Sequence, residues 1–314
     1  MTFNSMRKIL IGGAATAALL AAPGIASADP APAAQTTPAT PTAAPVANGT
    51  PALWRVADED TTIYLFGTIH LLPEGLNWYS PEIARALTTS GELVTEIPDD
   101  PAVAAQMQQL IASKGMLPAG QTLRGLMSGD DKAQYEATLA GMGMPAEVFD
   151  RFKPWMAAMT LSLLPLIQQG YNPEQGVEKT LMRQANAPAT RGALETAGEQ
   201  IDIFDQLPQD TQLRYLAEVV DQMPQVKVMI DAMVTEWAKG DADALARIMN
   251  QNLTDPVLAD RLLYNRNRNW AVWIDDRLDR PGTVFLAVGA GHLAGAKSVQ
   301  DALAARGIAV TRVQ

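Results

Sequence analysis

Residues 61–70 read TTIYLFGTIH, and residues 282–292 read GTVFLAVGAGH. Each stretch is an apolar, strand-like run that ends in Gly-x-x-His. The two histidines, His70 and His292, are the only ones in the 314-residue chain. A strand that ends in this way places an imidazole on a turn at its carboxyl end, the edge where open α/β sheets bind their ligands. The repeated pattern therefore predicts two turns, far apart in sequence, that bring two imidazoles to one site.

The rest of the pattern predicts a sheet assembled from both ends of the chain. Ser80 before Pro81 is a helix start, because a capping residue is followed by proline at the first helical position. Apolar runs predict strands at residues 54–56, 61–66, 93–97, 191–194, 284–288 and 308–313. Helical periodicity predicts helices at residues 81–89, 103–113, 130–140, 146–152, 155–169, 197–207, 210–221, 225–239, 241–249, 256–279 and 296–306. The predicted fold is α+β, or α/β, with a central mixed β-sheet from the N- and C-terminal segments and a large helical insertion.

The N-terminal residues predict export. Residues 1–28 combine a basic start, an apolar run at 9–22 and the small-residue cleavage site Ala26-Ser27-Ala28. Residues 29–51 form a Pro/Ala/Thr-rich leader that cannot bury a core, and residues 52–314 form one domain. We expect a periplasmic or secreted protein without stable membrane insertion after signal cleavage; an uncleaved anchor is the alternative.

Composition narrows the chemistry and the partners. The chain contains no cysteine, which excludes disulfides, thiolate metal ligands and a cysteine nucleophile. Its net charge is −10, and −12 once the two basic residues of the signal are removed. Such a surface repels nucleic acid and anionic lipid headgroups, so we expect no nucleic-acid partner. The oligomeric state stays open.

If the two histidines share a metal, the absence of cysteine means that the remaining protein ligands are oxygen donors. Glu96 lies near the end of the predicted strand 93–97 and should share a sheet edge with His70. Its carboxylate could ligate a metal or act as general base on a metal-bound water. The alternatives are hydrogen-bonded structural histidines, or histidines that serve as acid and base without a metal.

Three further residues are weaker candidates. Arg266, in the polar run 265–270, could hold a substrate carboxylate or stabilise developing negative charge, or simply face solvent. Glu178 lies at a helix start and Glu195 at the end of a predicted strand. Spacing alone does not show whether either glutamate reaches the site.

The ordered set of motifs resembles the TraB/GumN family, which is related to the Tiki proteases. The resemblance is carried by FGTIHL at 66–71, Glu96, KPW at 153–155, GVE at 176–178, LET at 194–196 with Gln200, RN at 266–267 with Trp270, and GAGHL at 289–293. It spans residues 52–314.

The resemblance implies an exported metal-dependent hydrolase, most readily a peptidase, with His70, His292 and Glu96 as metal ligands. Glu96 and Arg266 would be its catalytic residues. Oxygen-rich ligation favours Mn or Co and leaves Zn possible. Because other members reduce a peptide signal by cleavage or by sequestration, a non-catalytic binding protein for a peptide or small ligand is the alternative. Haem or iron binding is a third, weaker reading.

Overall fold

The computed structural model describes residues 49–185, 189–250 and 255–314. The predicted signal peptide and residues 29–48 of the predicted leader lie outside the described residues. The last three residues of that leader are described and are tied to the domain, since Gly49 N donates to Asn77 O and Thr50 N donates to Ala238 O. No helix among the described residues is both long and apolar enough to cross a membrane.

A six-stranded mixed sheet organises the domain. Its strands are β1 (Leu53–Ala57), β2 (Thr61–Thr68), β4 (Glu92–Thr95), β6 (Thr190–Ala193), β7 (Gly282–Gly289) and β8 (Thr311–Arg312), in the order β6-β4-β7-β2-β1-β8. Strands β6, β4, β7 and β2 run parallel, whereas β1 is antiparallel to β2 and to β8. A separate two-stranded sheet pairs β3 (Leu72–Pro73) with β5 (Tyr171–Asn172). The predicted sheet built from both ends of the chain is confirmed, and its first two strands form an antiparallel hairpin.

Helices cover both faces of the sheet and fill the middle of the chain. The α-helices are α1 (Pro81–Thr89), α2 (Pro101–Lys114), α3 (Leu123–Leu126), α4 (Gly129–Gly141), α5 (Pro154–Gln168), α6 (Val177–Gln184), α7 (Ala197–Asp205), α8 (Gln209–Gln222), α9 (Val226–Lys239), α10 (Ala242–Asn250), α11 (Pro256–Ala259), α12 (Asn265–Leu278) and α13 (Val299–Ala304). The predicted start of α1 is confirmed, because Ser80 caps the helix by accepting from Ile83 N.

Alternating side chains give the sheet two buried faces. Phe66 and Phe285 pack with Trp237 of α9 on one face. Leu65 and Leu286 pack with Ile274 of α12 on the other face. Because both faces are buried, β2 and β7 read as continuous apolar runs rather than as alternating ones. The helical middle has its own core around Trp155, Phe204 and Tyr215.

Three sequence predictions differ from the structure. Residues 146–152 are turns with i→i+3 bonds, not a helix, because Asp150 is held by Arg124 and Leu117 N bonds Arg151 O. The predicted helix 256–279 is interrupted by a π-helical turn, Asp260–Tyr264. The last predicted helix and strand are shorter, at Val299–Ala304 and Thr311–Arg312.

Candidate active site

Both Gly-x-x-His turns lie at the same edge of the sheet. Strands β2 and β7 are parallel neighbours whose last paired residues are Thr68 and Gly289. Strand β4 flanks β7 and ends at Thr95, so Glu96 follows at the same edge. The sheet therefore brings the three predicted residues His70, His292 and Glu96 to one end of three adjacent strands.

Gly67, the glycine of the first motif, is required because the two turns approach each other closely. A Cβ at Gly67 would lie 3.0 Å from Ala290 Cα, inside the second turn. The carbonyl of Gly67 accepts a bond from Trp237 Nε1 at 2.8 Å, which fixes the turn against α9. A larger residue at this position would separate the two histidine turns.

A carboxylate holds the His70 ring. Gly176 lies so close to the His70 backbone that a Cβ there would be 2.4 Å from the His70 carbonyl oxygen, and Val177 N donates to Ile69 O at 3.0 Å. This contact places the first turn of α6 against the motif, with Glu178 Oε1 2.6 Å from His70 Nδ1. Burial disfavours the charged imidazole, but the charge and hydrogen bond of Glu178 outweigh it and raise the pKa of His70. Glu178 is therefore brought into the site.

Arg266 lies at the centre of the buried part of the site. Its Nε donates to Glu195 Oε1 at 2.7 Å, and its Nη2 donates to Glu96 Oε2 at 2.5 Å and to Glu195 Oε2 at 2.9 Å. Its Nη1 donates to Leu262 O at 3.1 Å and faces His292 Nε2 at 3.0 Å. A guanidinium carries five N–H groups, and all five have a partner here. Arg266 thus has no donor left over for a substrate carboxylate in this arrangement.

His292 is fixed as a neutral ring. Its Nδ1 lies 2.6 Å from Asn267 Oδ1, and its Nε2 faces Arg266, which can only donate. The proton therefore sits on Nδ1, and Nε2 carries the lone pair. Burial and the Arg266 charge lower the pKa of His292 to about 3, although Glu96 opposes them. The imidazole is a hydrogen-bond acceptor at neutral pH, not a cation.

Glu96 is an ionised carboxylate inside the protein. Burial alone would raise its pKa, but Arg266, both histidines and the backbone N–H of Gly289 hold that pKa well below its usual value. The Gly289 N–H donates to Glu96 Oε1 at 2.7 Å, and that oxygen lies 3.9 Å from His292 Nε2. Glu96 therefore presents a permanent negative charge between the histidine turns.

A second carboxylate is tied to the first one. Gln200 Nε2 donates to Glu96 Oε2 at 3.0 Å and to Glu195 Oε2 at 2.8 Å. Trp270 Nε1 donates to Glu195 Oε1 at 3.0 Å, and the Trp270 ring lies 4.3 Å from the His292 ring and 4.7 Å from the Arg266 guanidinium. Glu195, which spacing alone left undecided, is therefore part of the same network.

The two histidines differ in exposure. The side chains of His70 and Glu178 are 14% and 23% exposed, whereas those of His292 and Arg266 are 1% and 7% exposed. Solvent therefore reaches the His70–Glu178 end of the site. The pair at the other end lies inside the protein.

The predicted metal can be weighed against these donors. Within residues 49–185, 189–250 and 255–314, no three His, Asp or Glu side chains stand ready to hold one ion. The donors themselves suit a divalent ion, because the Nδ1 of each histidine is held by an oxygen atom, the usual arrangement around metal-ligating imidazoles. Arg266 contacts His292 Nε2 and donates to Glu96 Oε2, so these two atoms are not available to an ion in this arrangement. The metal site stays a prediction, and it requires Arg266 to move.

Comparison with known proteins identifies the family. No curated protein and no solved structure matches the chain. One family model matches residues 52–312, which include both histidine turns, the three glutamates and Arg266. The chain belongs to the TraB/PrgY/gumN family.

Proposed function

We propose that this chain is an exported metal-dependent hydrolase that cleaves peptides. The observation that carries the proposal is that both imidazoles lie at one edge of the sheet and that an oxygen atom holds Nδ1 of each ring. Glu178 holds Nδ1 of His70, and Asn267 holds Nδ1 of His292. In both rings Nε2 is the remaining nitrogen, the atom through which a histidine held in this way binds a metal.

The charges of the site support a bound cation. In the part of the chain that the structure describes, three carboxylates of the site, those of Glu96, Glu178 and Glu195, stand against one permanent cation, Arg266. A proton on His70 offsets one more negative charge, and the site still carries a net charge of −1. A buried excess of negative charge is costly unless a cation compensates it. A divalent ion would supply that compensation.

The hydrogen-bond donors of the site lead to the same proposal. Hydrolysis of a peptide bond develops negative charge on the carbonyl oxygen, and that charge needs a donor or a cation. All N–H groups of Arg266 are used, and the Nε2 of Gln200 serves two carboxylates. Neither Arg266 nor Gln200 thus offers a spare donor in this arrangement. An ion would meet this need as a Lewis acid.

The roles of the residues follow from these contacts. His70 Nε2, His292 Nε2 and Glu96 would hold the ion, with Mn or Co favoured by the oxygen-rich surroundings and Zn possible. Glu178 and Asn267 hold the Nδ1 protons in place, so Nε2 carries the lone pair in His292 and in the neutral form of His70, the form that would bind the ion. Arg266 would release His292 and Glu96 when the ion binds. The ionised Glu96 can ligate the ion or accept the proton of the attacking water.

One observation favours a second candidate, a protein that binds a peptide or small ligand without turnover. In this arrangement Arg266 occupies His292 Nε2 and Glu96 Oε2, the atoms that an ion would need. If the guanidinium never leaves, the buried end is structural. The His70–Glu178 end would then bind a ligand on its own.

Metal analysis of the purified protein separates the two candidates. The wild type, His70→Ala, His292→Ala and Glu96→Gln would be loaded with Mn, Co or Zn, dialysed and analysed for bound metal. Glu147→Gln serves as the control, because Glu147 is an exposed carboxylate in the turn 146–152. Each preparation would then be incubated with a peptide library and the products read by mass spectrometry.

We expect about one ion per chain in the wild type and in the Glu147 control, and loss of metal and of cleavage in the three site variants. Metal retained by folded His70→Ala and His292→Ala protein would overturn the shared site. Cleavage that continues in EDTA would show a hydrolase without a metal. Ligand binding without cleavage, unaffected by metal, would support the second candidate.

A further inference from the structure

The loop after the second histidine motif contains an unusual backbone conformation. Lys297 has a φ of +60°, and it is the only non-glycine residue with a positive φ among residues 49–185, 189–250 and 255–314. Such a conformation costs free energy in a residue with a side chain, and it persists where its surroundings require it. Lys297 is exposed, so packing of its side chain in a core does not explain the conformation.

Two contacts hold the Lys297 backbone in place. Its N–H donates to Asp301 Oδ2 at 2.7 Å, and its carbonyl accepts from Asn267 Nδ2 at 2.7 Å. Asp301 lies in the first turn of α13, which Ser298 caps. The start of α13 therefore fixes the direction of the Lys297 carbonyl.

The Lys297 carbonyl determines the orientation of the Asn267 amide. A carbonyl only accepts, so the NH₂ group of Asn267 must face it. Asn267 Oδ1 then faces His292 Nδ1 at 2.6 Å and must accept a proton from it. The asparagine is 2% exposed and the histidine is 1% exposed, so water does not compete for either contact.

We propose that Lys297 and Asn267 form a positioning relay for His292. The relay runs from the Lys297 carbonyl through the Asn267 amide to the Nδ1 proton of His292, and it keeps the Nε2 lone pair directed at Arg266 Nη1. Lys297 acts through its backbone conformation, and its ammonium group, which lies 4.4 Å from the Tyr264 ring centre, has no part in the relay. Both are positioning residues, since neither touches a reacting atom.

The relay extends the proposed function, because it sets the nitrogen that would bind the ion, but its test does not depend on activity. Imidazole N–H protons exchange rapidly with water unless they are buried and hydrogen-bonded. With two histidines in the chain, a sample labelled with ¹⁵N-histidine gives two imidazoles, and His70→Ala leaves the His292 signals alone. We expect an observable Nδ1–H proton and an unprotonated Nε2 for His292.

Four variants test the relay in the His70→Ala background. Asn267→Leu removes the acceptor at similar volume, and Asn265→Leu makes the same change at an exposed position of α12. Lys297→Gly keeps a positive φ without strain, whereas Lys297→Val disfavours it and should turn the carbonyl away. We expect the Nδ1–H signal to persist in Asn265→Leu and Lys297→Gly, and to disappear in Asn267→Leu and Lys297→Val.

An Nδ1–H signal that persists in Asn267→Leu or in Lys297→Val would overturn the relay, as would its loss in Lys297→Gly. The two Lys297 variants change an exposed residue, so they keep the test informative if Asn267→Leu does not fold. With His70 intact, Asn267→Leu should also weaken metal binding by about 10–100-fold. If no metal binds the wild type, the proposed function fails while the proton signals still decide the relay.

Discussion

Arg266→Met gives the sharpest test of the buried network. The substitution keeps an unbranched side chain and removes the one permanent cation that, among the described residues, pairs with Glu96 and Glu195. Removing one partner of a buried ion pair leaves an uncompensated charge, which costs about 3–5 kcal/mol. A domain of ordinary stability has roughly 5–15 kcal/mol in total, so the variant should be folded but much less stable.

The loss should depend on pH in a defined direction. In the wild type the pKa of Glu96 is depressed below 4.5, so its stabilisation is present above that pH and is lost as the pH falls through the folded pKa. Without Arg266, burial raises the pKa of Glu96 instead, so the charged form is penalised at neutral pH and the penalty is relieved in acid. The gap between wild type and variant should therefore be widest near pH 7 and narrow below pH 4.5.

Urea unfolding followed by tryptophan fluorescence, in EDTA and between pH 4 and pH 7, measures this gap. Arg268→Met is the matched control, because Arg268 lies two residues later on α12 and is 56% exposed in its pair with Asp260. An exposed pair is worth about 0–1 kcal/mol. If Arg266→Met lowers the free energy of unfolding no more than the control does, or by the same amount at every pH, Arg266 does not compensate a buried charge on Glu96.

Three other predictions use the same protein. In an NMR titration His70 should titrate above pH 6.5, and Glu178→Gln should lower the His70 pKa, because the carboxylate favours the charged ring. The stability that this pair contributes is present below pH 6.5 and is lost as the pH rises through the folded pKa. A His70 pKa that is unchanged in the variant would contradict the pairing. His292 should stay neutral down to about pH 4, since its pKa is about 3, and a His292 midpoint near 6.5 would exclude the Arg266 contact. Gly176→Ala should lower the free energy of unfolding by about 1–3 kcal/mol, because the new Cβ would meet the His70 carbonyl. The control Gly141→Ala, with open space around it, should be neutral or stabilising by about 0.5–1 kcal/mol. Equal effects in thermal or urea unfolding would show that the close approach at Gly176 is relieved at no cost.

The parts of the fold that the sequence predicted are those set by local chemistry. Ser80 before Pro81 marks a helix start by its local chemistry, and the short apolar runs 61–66 and 284–288 have the length and composition of buried strands. Glycine three positions before each histidine identified the two turns. The prediction of residues 146–152 as a helix was wrong because the bond between Arg124 and Asp150, 26 positions apart, holds that segment in turns.

The network of the site could not be predicted in the same way. Arg266 was a candidate for its residue type, but the number of its N–H groups in use depends on partners from three other parts of the chain. The positive φ of Lys297 has no local sequence signal, since glycine or asparagine would be the expected residue there. Sequence identified the reactive residue types, and tertiary packing assigned the bonds among them.

The parallel pairing of β2 with β7 determines at what stage of folding the two histidine turns come together. Gly282, where β7 begins, lies 214 positions after Thr68, where β2 ends. Distant pairings of this kind form late in folding, because a large loop must close before they gain contacts. A chain that has been synthesised only as far as β6 therefore holds one histidine turn without the other. A reaction that needs both turns can begin only after β7 and the turn that follows it have been made and have paired with β2.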